Sequence, residues 1–416
     1  MPGLGTLLRH NPNYRNIWLG QVVSEVGDYF NAVAVLALIM QQSGSGFVVS
    51  MVFLSRAIPS VLAAPFAGVL LDRMDRRHIM IASDLVRAVL ALLFIFTVNE
   101  SRTWMFYVLS ALLSFASPFF TAGRSAILPS IASPDELHAA NAVTQTTGWA
   151  TLTVGAILGG WASHWLGYSG AFVFNSVSFV FSAWCIWRVT ATTRAAAPKK
   201  RQGGRHDYMD GLRYIRSVPL FMGIGMISVG WAVGGGAAQI LFALFGDKVF
   251  HRGAAGIGDL WGFAGVGLLI GGAIAHALGE KMTFAAYKRT VALAYIAHGA
   301  GYMLFSQAPT FWLALALITL SRVGMAAATV LNSSQLLRHT SNEYLGRTFA
   351  TMESLRNTVM IFSVSAAGIA ADHFGPRTIG LIAGGCGLLT AIAWALADVS
   401  GKLPEPRDTR PTEEAA

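Results

Sequence analysis

Long apolar runs, each closed by a short polar stretch, recur along the 416 residues. They cover roughly 17–40, 47–71, 79–98, 104–122, 141–163, 170–188, 219–245, 257–278, 287–306, 310–331, 348–371 and 377–398. An α-helix rises about 1.5 Å per residue, so some twenty apolar residues cross the ~30 Å of hydrocarbon in a bilayer. Most runs reach that length. The pattern predicts an all-α integral membrane protein with twelve transmembrane helices.

The longest polar interruption away from the termini is Thr190–Tyr208, which holds Ala195-Ala-Ala-Pro-Lys-Lys-Arg-Gln-Gly-Gly-Arg205. It divides the spans six and six. The expected organisation is an N-terminal six-helix bundle over 1–189, a cytoplasmic linker over 190–209 and a C-terminal six-helix bundle over 210–399. The polar, Pro-containing stretch 400–416 is expected to be a disordered tail. The halves echo each other faintly. Arg9-His-Asn-Pro12 precedes span one and Arg216-Ser-Val-Pro219 precedes span seven, while Gly68…Asp72-Arg73 is mirrored by Gly272…His276 and then Glu280-Lys281. Internal duplication of this kind underlies two-bundle carriers.

Charge decides orientation. One set of connections holds Arg9 and Arg15, Arg73, Arg76 and Arg77, Arg124, Arg194 to Arg216 with Lys199 and Lys200, Lys281, Lys288 and Arg289, Arg338 and Arg347, then Lys402, Arg407 and Arg410. The alternate set holds only Arg102, Lys248, Arg252 and Arg377. Cytoplasmic loops carry the excess of Lys and Arg, so both termini are expected in the cytoplasm. The net charge of +9 is therefore topological, and nucleic acid is not an expected partner. Composition agrees with the membrane reading. Charged residues make up 12% of the chain and apolar ones 54%, against about 25% charged in soluble domains, and mean hydropathy is +0.53. The first apolar segment is full length and contains Glu25 and Asp28, so it reads as a span and not as a cleavable signal peptide. Cys185 and Cys386 sit in apolar runs of opposite halves and read as packing residues, with no metal site expected.

Span one carries the clearest chemistry. Gln21, Ser24, Glu25, Asp28 and Asn31 recur at helical spacing and form one polar stripe on an apolar helix, in which Gln21, Ser24 and Asn31 are expected to line a central cavity. Asp28 lies about 17 Å into the span at 1.5 Å per residue, near the bilayer midplane. An ionisable residue there costs at least ~2.5 kcal/mol and usually lines a pathway or cavity. A carboxylate costly to keep charged suits reversible proton carriage. The N-terminal half also offers Arg56 in span two and the Asp84–Arg87 pair in span three. If Asp84 pairs with Arg87, Arg56 neutralises only one of Glu25 and Asp28, leaving the other for a proton or a cationic substrate. Arg124 is expected to anchor the membrane interface. Arg322, with Glu353, Arg356 and Asn357, is expected to line the C-terminal side of a cavity, and His298 to be a packed core histidine. Asp259 is expected near the external surface.

Between spans two and three lies Gly68-Val-Leu-Leu-Asp72-Arg73-Met-Asp75-Arg76-Arg77. This G-x-x-x-D-R-x-x-R-R hairpin resembles the signature loop of the major facilitator superfamily, with Asp75 where that loop usually has glycine. Further stretches are similar to its enterobactin-exporter-like and macrolide-efflux-like branch. They are Tyr14-Arg-Asn-Ile-Trp-Leu-Gly-Gln21…Gly27-Asp28, Ser83-Asp-Leu-Val-Arg87, Phe120…Ala126-Ile-Leu-Pro129, Leu137-His-Ala-Ala-Asn141 and Leu345-Gly-Arg347. The resemblance implies a rocker-switch carrier of a bacterial inner membrane. It would export an amphipathic small molecule such as a drug or siderophore, as a monomer, by proton antiport and without a cofactor. It also implies that Asp72, near Gly346-Arg347-Thr348, works with Gly68, Arg73, Arg76 and Arg77 as a cytoplasmic gate latch. Gly155-Ala-Ile-Leu-Gly159-Gly160 comes close to the antiporter signature G-P-x-x-G-G, with Ala156 in place of proline. A lysophospholipid or other lipid carrier is the rival reading, and a non-transporting membrane sensor a third. No H-E-x-x-H and no G-x-x-x-x-G-K-[ST] occurs, so neither an intramembrane metalloenzyme nor ATP-driven transport is expected.

Overall fold

Asn11 and Pro12 show how the sequence starts its first helix. The Asn11 side chain accepts from the Tyr14 amide at 2.9 Å, and Pro12 opens the first turn, where its missing N–H leaves nothing unsatisfied. The resulting helix α1 is Pro12–Ser43. The computed structural model describes residues 8–99, 102–190, 204–279, 281–341 and 343–406. Helices follow as α2 (Gly46–Arg73), α3 (Arg76–Leu93) and α4 (Thr103–Ile131). The long element Pro134–Trp187 is broken at Gly167, whose φ of 74° and ψ of 167° no helix tolerates. A side chain there would be strained, and glycine's freedom is what permits the reversal. The break separates α5 (134–166) from α6 (168–187).

The second half continues with α7 (Gly204–Ser217), α8 (Pro219–Leu244, extended by a π turn Phe245–Val249), α9 (Gly253–Gly279) and α10 (Phe284–Gln307). It closes with α11 (Phe311–His339), α12 (Leu345–Ala371) and α13 (Pro376–Val399). Among the described residues ten stretches are long and apolar enough to cross a membrane by length and composition, one of them spanning the Gly167 break. Dividing that stretch and adding α10, which is diluted by Lys288, Arg289 and His298, gives the twelve spans. The remaining helix, α7, begins in sequence expected as linker and ends inside the expected C-terminal bundle. Its Gly211 lets it settle on α12, because a Cβ there would stand 2.3 Å from Thr351 Oγ1 and 2.8 Å from the Arg347 carbonyl. Residues 191–203 of the linker lie outside the described residues.

The helices gather into two compact units. The first comprises Met1–Lys199 together with Phe242–Gly265, and the second Lys200–Leu241 together with Val266–Ala416. The boundary expected at 210 is thus crossed by the end of α8 and the first half of α9. The reason is a tight glycine crossing inside the first unit, where a Cβ on Gly258 would meet the Ala156 carbonyl at 2.4 Å and Gly160 Cα at 2.8 Å. Small residues are what let helices approach this closely without a hydrophobic drive in lipid. Beside this crossing Trp161 donates its indole N–H to Asp259 at 3.1 Å. Asp259 is accordingly buried, at 7% exposure.

In the second unit α10 is central. Tyr287 donates to Asn332 of α11 at 2.8 Å, and Trp394 of α13 donates to the Lys288 carbonyl at 2.9 Å. The expected disorder from Ser400 onward does not hold at its start. Leu403 is buried in a cluster with Phe221, Trp394 and Tyr287, and Lys288 Nζ donates to its carbonyl at 3.2 Å. Residues 407–416 lie outside the described residues.

Candidate functional site

On α1, Glu25 and Asp28 are the points around which the first unit's charges gather. Three groups hold Glu25. Gln21 donates to Oε1 at 2.8 Å, Arg124 Nη1 donates to the same oxygen at 3.3 Å, and Thr151 Oγ1 donates to Oε2 at 2.8 Å. Asp28 Oδ2 stands 3.6 Å from Arg87 Nη1. Arg87 in turn is paired with Asp84, three residues earlier on α3. Its guanidinium lies over the rings of Phe179, 4.2 Å to the centroid, and Phe120, 5.0 Å, a placement that adds cation–π attraction in a desolvated site.

Burial separates this network into two layers. Asp84 and Arg87 are sealed, with side chains 0% and 3% exposed, whereas Asp28 and Glu25 keep 32% and 29%. The inner pair therefore fixes geometry, and the outer carboxylates remain reachable. Arg56 makes no ion pair within 4 Å among the described residues. With Arg124 included, three carboxylates face three guanidiniums: Glu25, Asp28 and Asp84 against Arg56, Arg87 and Arg124. The arrangement is neutral when all are ionised, and protonating any one carboxylate leaves a positive charge.

This revises two expectations. Arg124 does not anchor the interface. Helix α4 runs on to Ile131, more than two turns past the expected end near 122, so Arg124 is an inner residue paired with Glu25. Gln21, Ser24 and Asn31 do not line an open path here, being 2%, 2% and 1% exposed. They lie against neighbouring helices, because the backbone of α1 comes close to α6 at Gly20 and Gly27. A Cβ on Gly27 would clash with Ser178 Oγ at 2.1 Å. Gln21 keeps a role in orienting Glu25, while Ser24 bonds back to the Gln21 carbonyl at 3.1 Å.

In the second unit Arg322 is 7% exposed. It lies 5.7 Å from the Tyr302 ring, with Nη1 3.1 Å from Met325 Sδ, so it is packed inside its unit and does not line an opening. His298 is a core residue as read, with Nδ1 2.9 Å from Ser321 Oγ. Glu353 pairs with Arg356 and accepts from Asn357 at 3.2 Å. Glu353, with 52% of its side chain exposed, is the open member of that cluster.

The charged hairpin is largely spent on its own bundle. Asp75 N-caps α3, accepting from the Arg77 amide at 2.9 Å, which accounts for aspartate at this position. Arg76 donates to the Ala126 carbonyl at 2.5 Å, and Arg77 to that of Trp187. Asp72 and Arg73 are exposed, and among the described residues Asp72 has no ion pair. Within its own unit a Cβ on Gly68 would meet nothing within 4 Å, so close packing is not what that glycine provides. Arg347 is held by Asp207 of α7 at 3.1 Å and Glu343 at 4.0 Å.

A family model described as Major Facilitator Superfamily matches residues 17–357. The chain belongs to the Major Facilitator Superfamily. It is a multi-pass membrane transporter and not an enzyme. The facilitator is 24% identical to an uncharacterized MFS-type transporter of Bacillus subtilis, YfiS, over 416 aligned residues spanning 96% of each chain. The putative bacilysin exporter BacE of the same organism is 25% identical over 347 residues, 82% of this chain and 84% of the relative. The fold matches that of a bacterial homologue of the iron transporter ferroportin, crystallised in an inward-facing state. That match has a TM-score of 0.69 at 18% identity and covers 92% of this facilitator and 98% of the other chain.

Proposed function

We propose that this facilitator exports an amphipathic small molecule from a bacterial cytoplasm across the inner membrane, in exchange for protons, by alternating access. The observation that carries the proposal is the pair of partly open carboxylates, Glu25 and Asp28, one turn apart on α1, each already matched to an arginine from another helix. Charged groups on membrane helices are costly and mark ion or substrate pathways. A carboxylate that holds either a proton or a substrate's cationic group, but not both, couples the two movements in opposite directions. Here the linkage is local. A proton on Asp28 leaves Arg87 to Asp84, and a proton on Glu25 releases Arg124 while Gln21 and Thr151 still hold the carboxyl in place.

The exporter relative supports the outward direction of transport. Arg56 completes the neutral balance. The gate role of the hairpin falls to its exposed members, Asp72 and Arg73. The test is proteoliposome transport of a macrolide and a lipophilic cation, each carrying a cationic group, under an imposed pH gradient. Gradient-driven movement of one class supports export by antiport. Movement that ignores the gradient, with intact protein, removes proton coupling.

A further inference from the structure

The second unit carries a groove that the transport site does not use. It runs between the start of α8 and the end of α13, encloses about 670 Å³, and is walled by Met222, Met226, Ile227, Leu389, Ala393 and Trp394. Its volume falls in the range of small-molecule sites. Two cations, Arg216 and Lys402, stand among its lining residues. Both are exposed, and among the described residues neither takes part in an ion pair.

The geometry points to a diacyl phospholipid with an anionic headgroup as the occupant, bound with its phosphate between Arg216 and Lys402. Four observations converge. The cations lie at one end, because Arg216 precedes α8 and Lys402 follows α13, so the polar and apolar parts of the groove are segregated as in a lipid. Along α8 the apolar wall extends from Pro219 to Ile227, and along α13 from Ala397 back to Leu389. Each is about 12 Å at 1.5 Å per residue, most of one leaflet of a ~30 Å hydrocarbon core. Met226 and Leu389, both 66% exposed, open this wall towards the surrounding bilayer. Finally, the cation on the tail is held in place. Leu403 fills the space over Gly223, where a Cβ would meet its Cδ2 at 2.7 Å, and Lys288 ties the tail down through Asp398 at 2.5 Å and the Leu403 carbonyl at 3.2 Å.

The site faces the cytoplasmic leaflet, because the Lys/Arg-rich connections lie at this end. A basic pocket between membrane helices on that side is suited to anionic headgroups. The inference requires only the membrane reading and stands apart from the carboxylates of α1.

The test is native mass spectrometry of the delipidated full chain in detergent, titrated with phosphatidylglycerol or with phosphatidylcholine of the same acyl length. Phosphatidylglycerol should bind more tightly. R216Q/K402Q should weaken it about twenty- to thirtyfold, near fivefold per cation. Lys281→Gln, which removes an exposed cation outside the groove, should leave binding unchanged. Ala393→Phe, which fills the lipid-facing wall, should weaken both lipids. Equal retention of the two lipids, or unchanged phosphatidylglycerol binding in the double variant, overturns the proposal. So does glycerol phosphate competing as well as the whole lipid, which would mean a free-phosphate site. The double variant should keep its transport of whichever substrate the wild type moves, which separates this result from the antiport mechanism.

Discussion

Replacing Arg87 with methionine removes the cation that Asp28 and Asp84 share. At 3.6 Å and an effective dielectric constant near 20, the contact with Asp28 corresponds to an interaction of about 4–5 kcal/mol before desolvation is subtracted. Asp28, 32% exposed, recovers part of this by hydration. Asp84, at 0% exposure, cannot, and its carboxylate is left buried and uncompensated. Breaking a buried pair in this way costs about 3–5 kcal/mol, whereas replacing both partners by well-packed hydrophobic residues of similar volume is often near neutral. The expected outcome is therefore non-additive. Arg87→Met should lose about 3–5 kcal/mol, and the double variant R87M/D84L should recover to within about 2 kcal/mol of wild type. The assay is denaturant unfolding of the purified chain in mild detergent, run as a double-mutant cycle. A single variant as stable as wild type, or a double variant whose loss equals the sum of its parts, would refute the assignment of Asp84 and Arg87 as a structural pair.

Three further outcomes are expected. Arg124→Gln should reduce gradient-driven transport by tenfold or more while the protein inserts normally, because Glu25 loses the one guanidinium within 4 Å of it among the described residues; unchanged transport would return Arg124 to a merely anchoring role. Asp75→Ala should cost about 1 kcal/mol through loss of the α3 cap, and Asp75→Asn much less, as read from unfolding midpoints. Gly258→Leu, forced against the Ala156 carbonyl, should destabilise the first unit by about 1–3 kcal/mol or more through overpacking, whereas Gly385→Leu, at a glycine with nothing within 4 Å, should not.

The spans were legible because twenty-residue apolar runs have few alternatives, and Pro12 and Pro219 mark equivalent helix starts in the two halves. The carboxylates of α1 stood out because acids are rare in such runs. Arg124 is hard to place from sequence for a specific reason. The sequence Arg124-Ser-Ala-Ile-Leu-Pro129 looks like the polar end of a span, yet α4 carries both Pro118 and Pro129 inside it. The roles of Gln21, Ser24 and Asn31 depended on which arc of the stripe meets α6. Spacing alone does not fix that; Gly20 and Gly27 were the available signal. Helix α7 was hidden by its charge, although Tyr208, Leu212 and Ile215 recur at helical spacing, and Ile215 is 6% exposed. The capture of the first part of α9 by the first unit had one visible hint, the run of glycines at 253, 256, 258, 262 and 265.

The most direct test of the account compares wild type, Glu25→Gln and Asp28→Asn in proteoliposomes with an imposed pH gradient, following a macrolide and a lipophilic cation. Wild type should accumulate at least one of them against its concentration gradient, and both variants, equally well inserted, should fall to the level of empty liposomes. Accumulation undiminished in both variants would show that these carboxylates do not couple protons to transport.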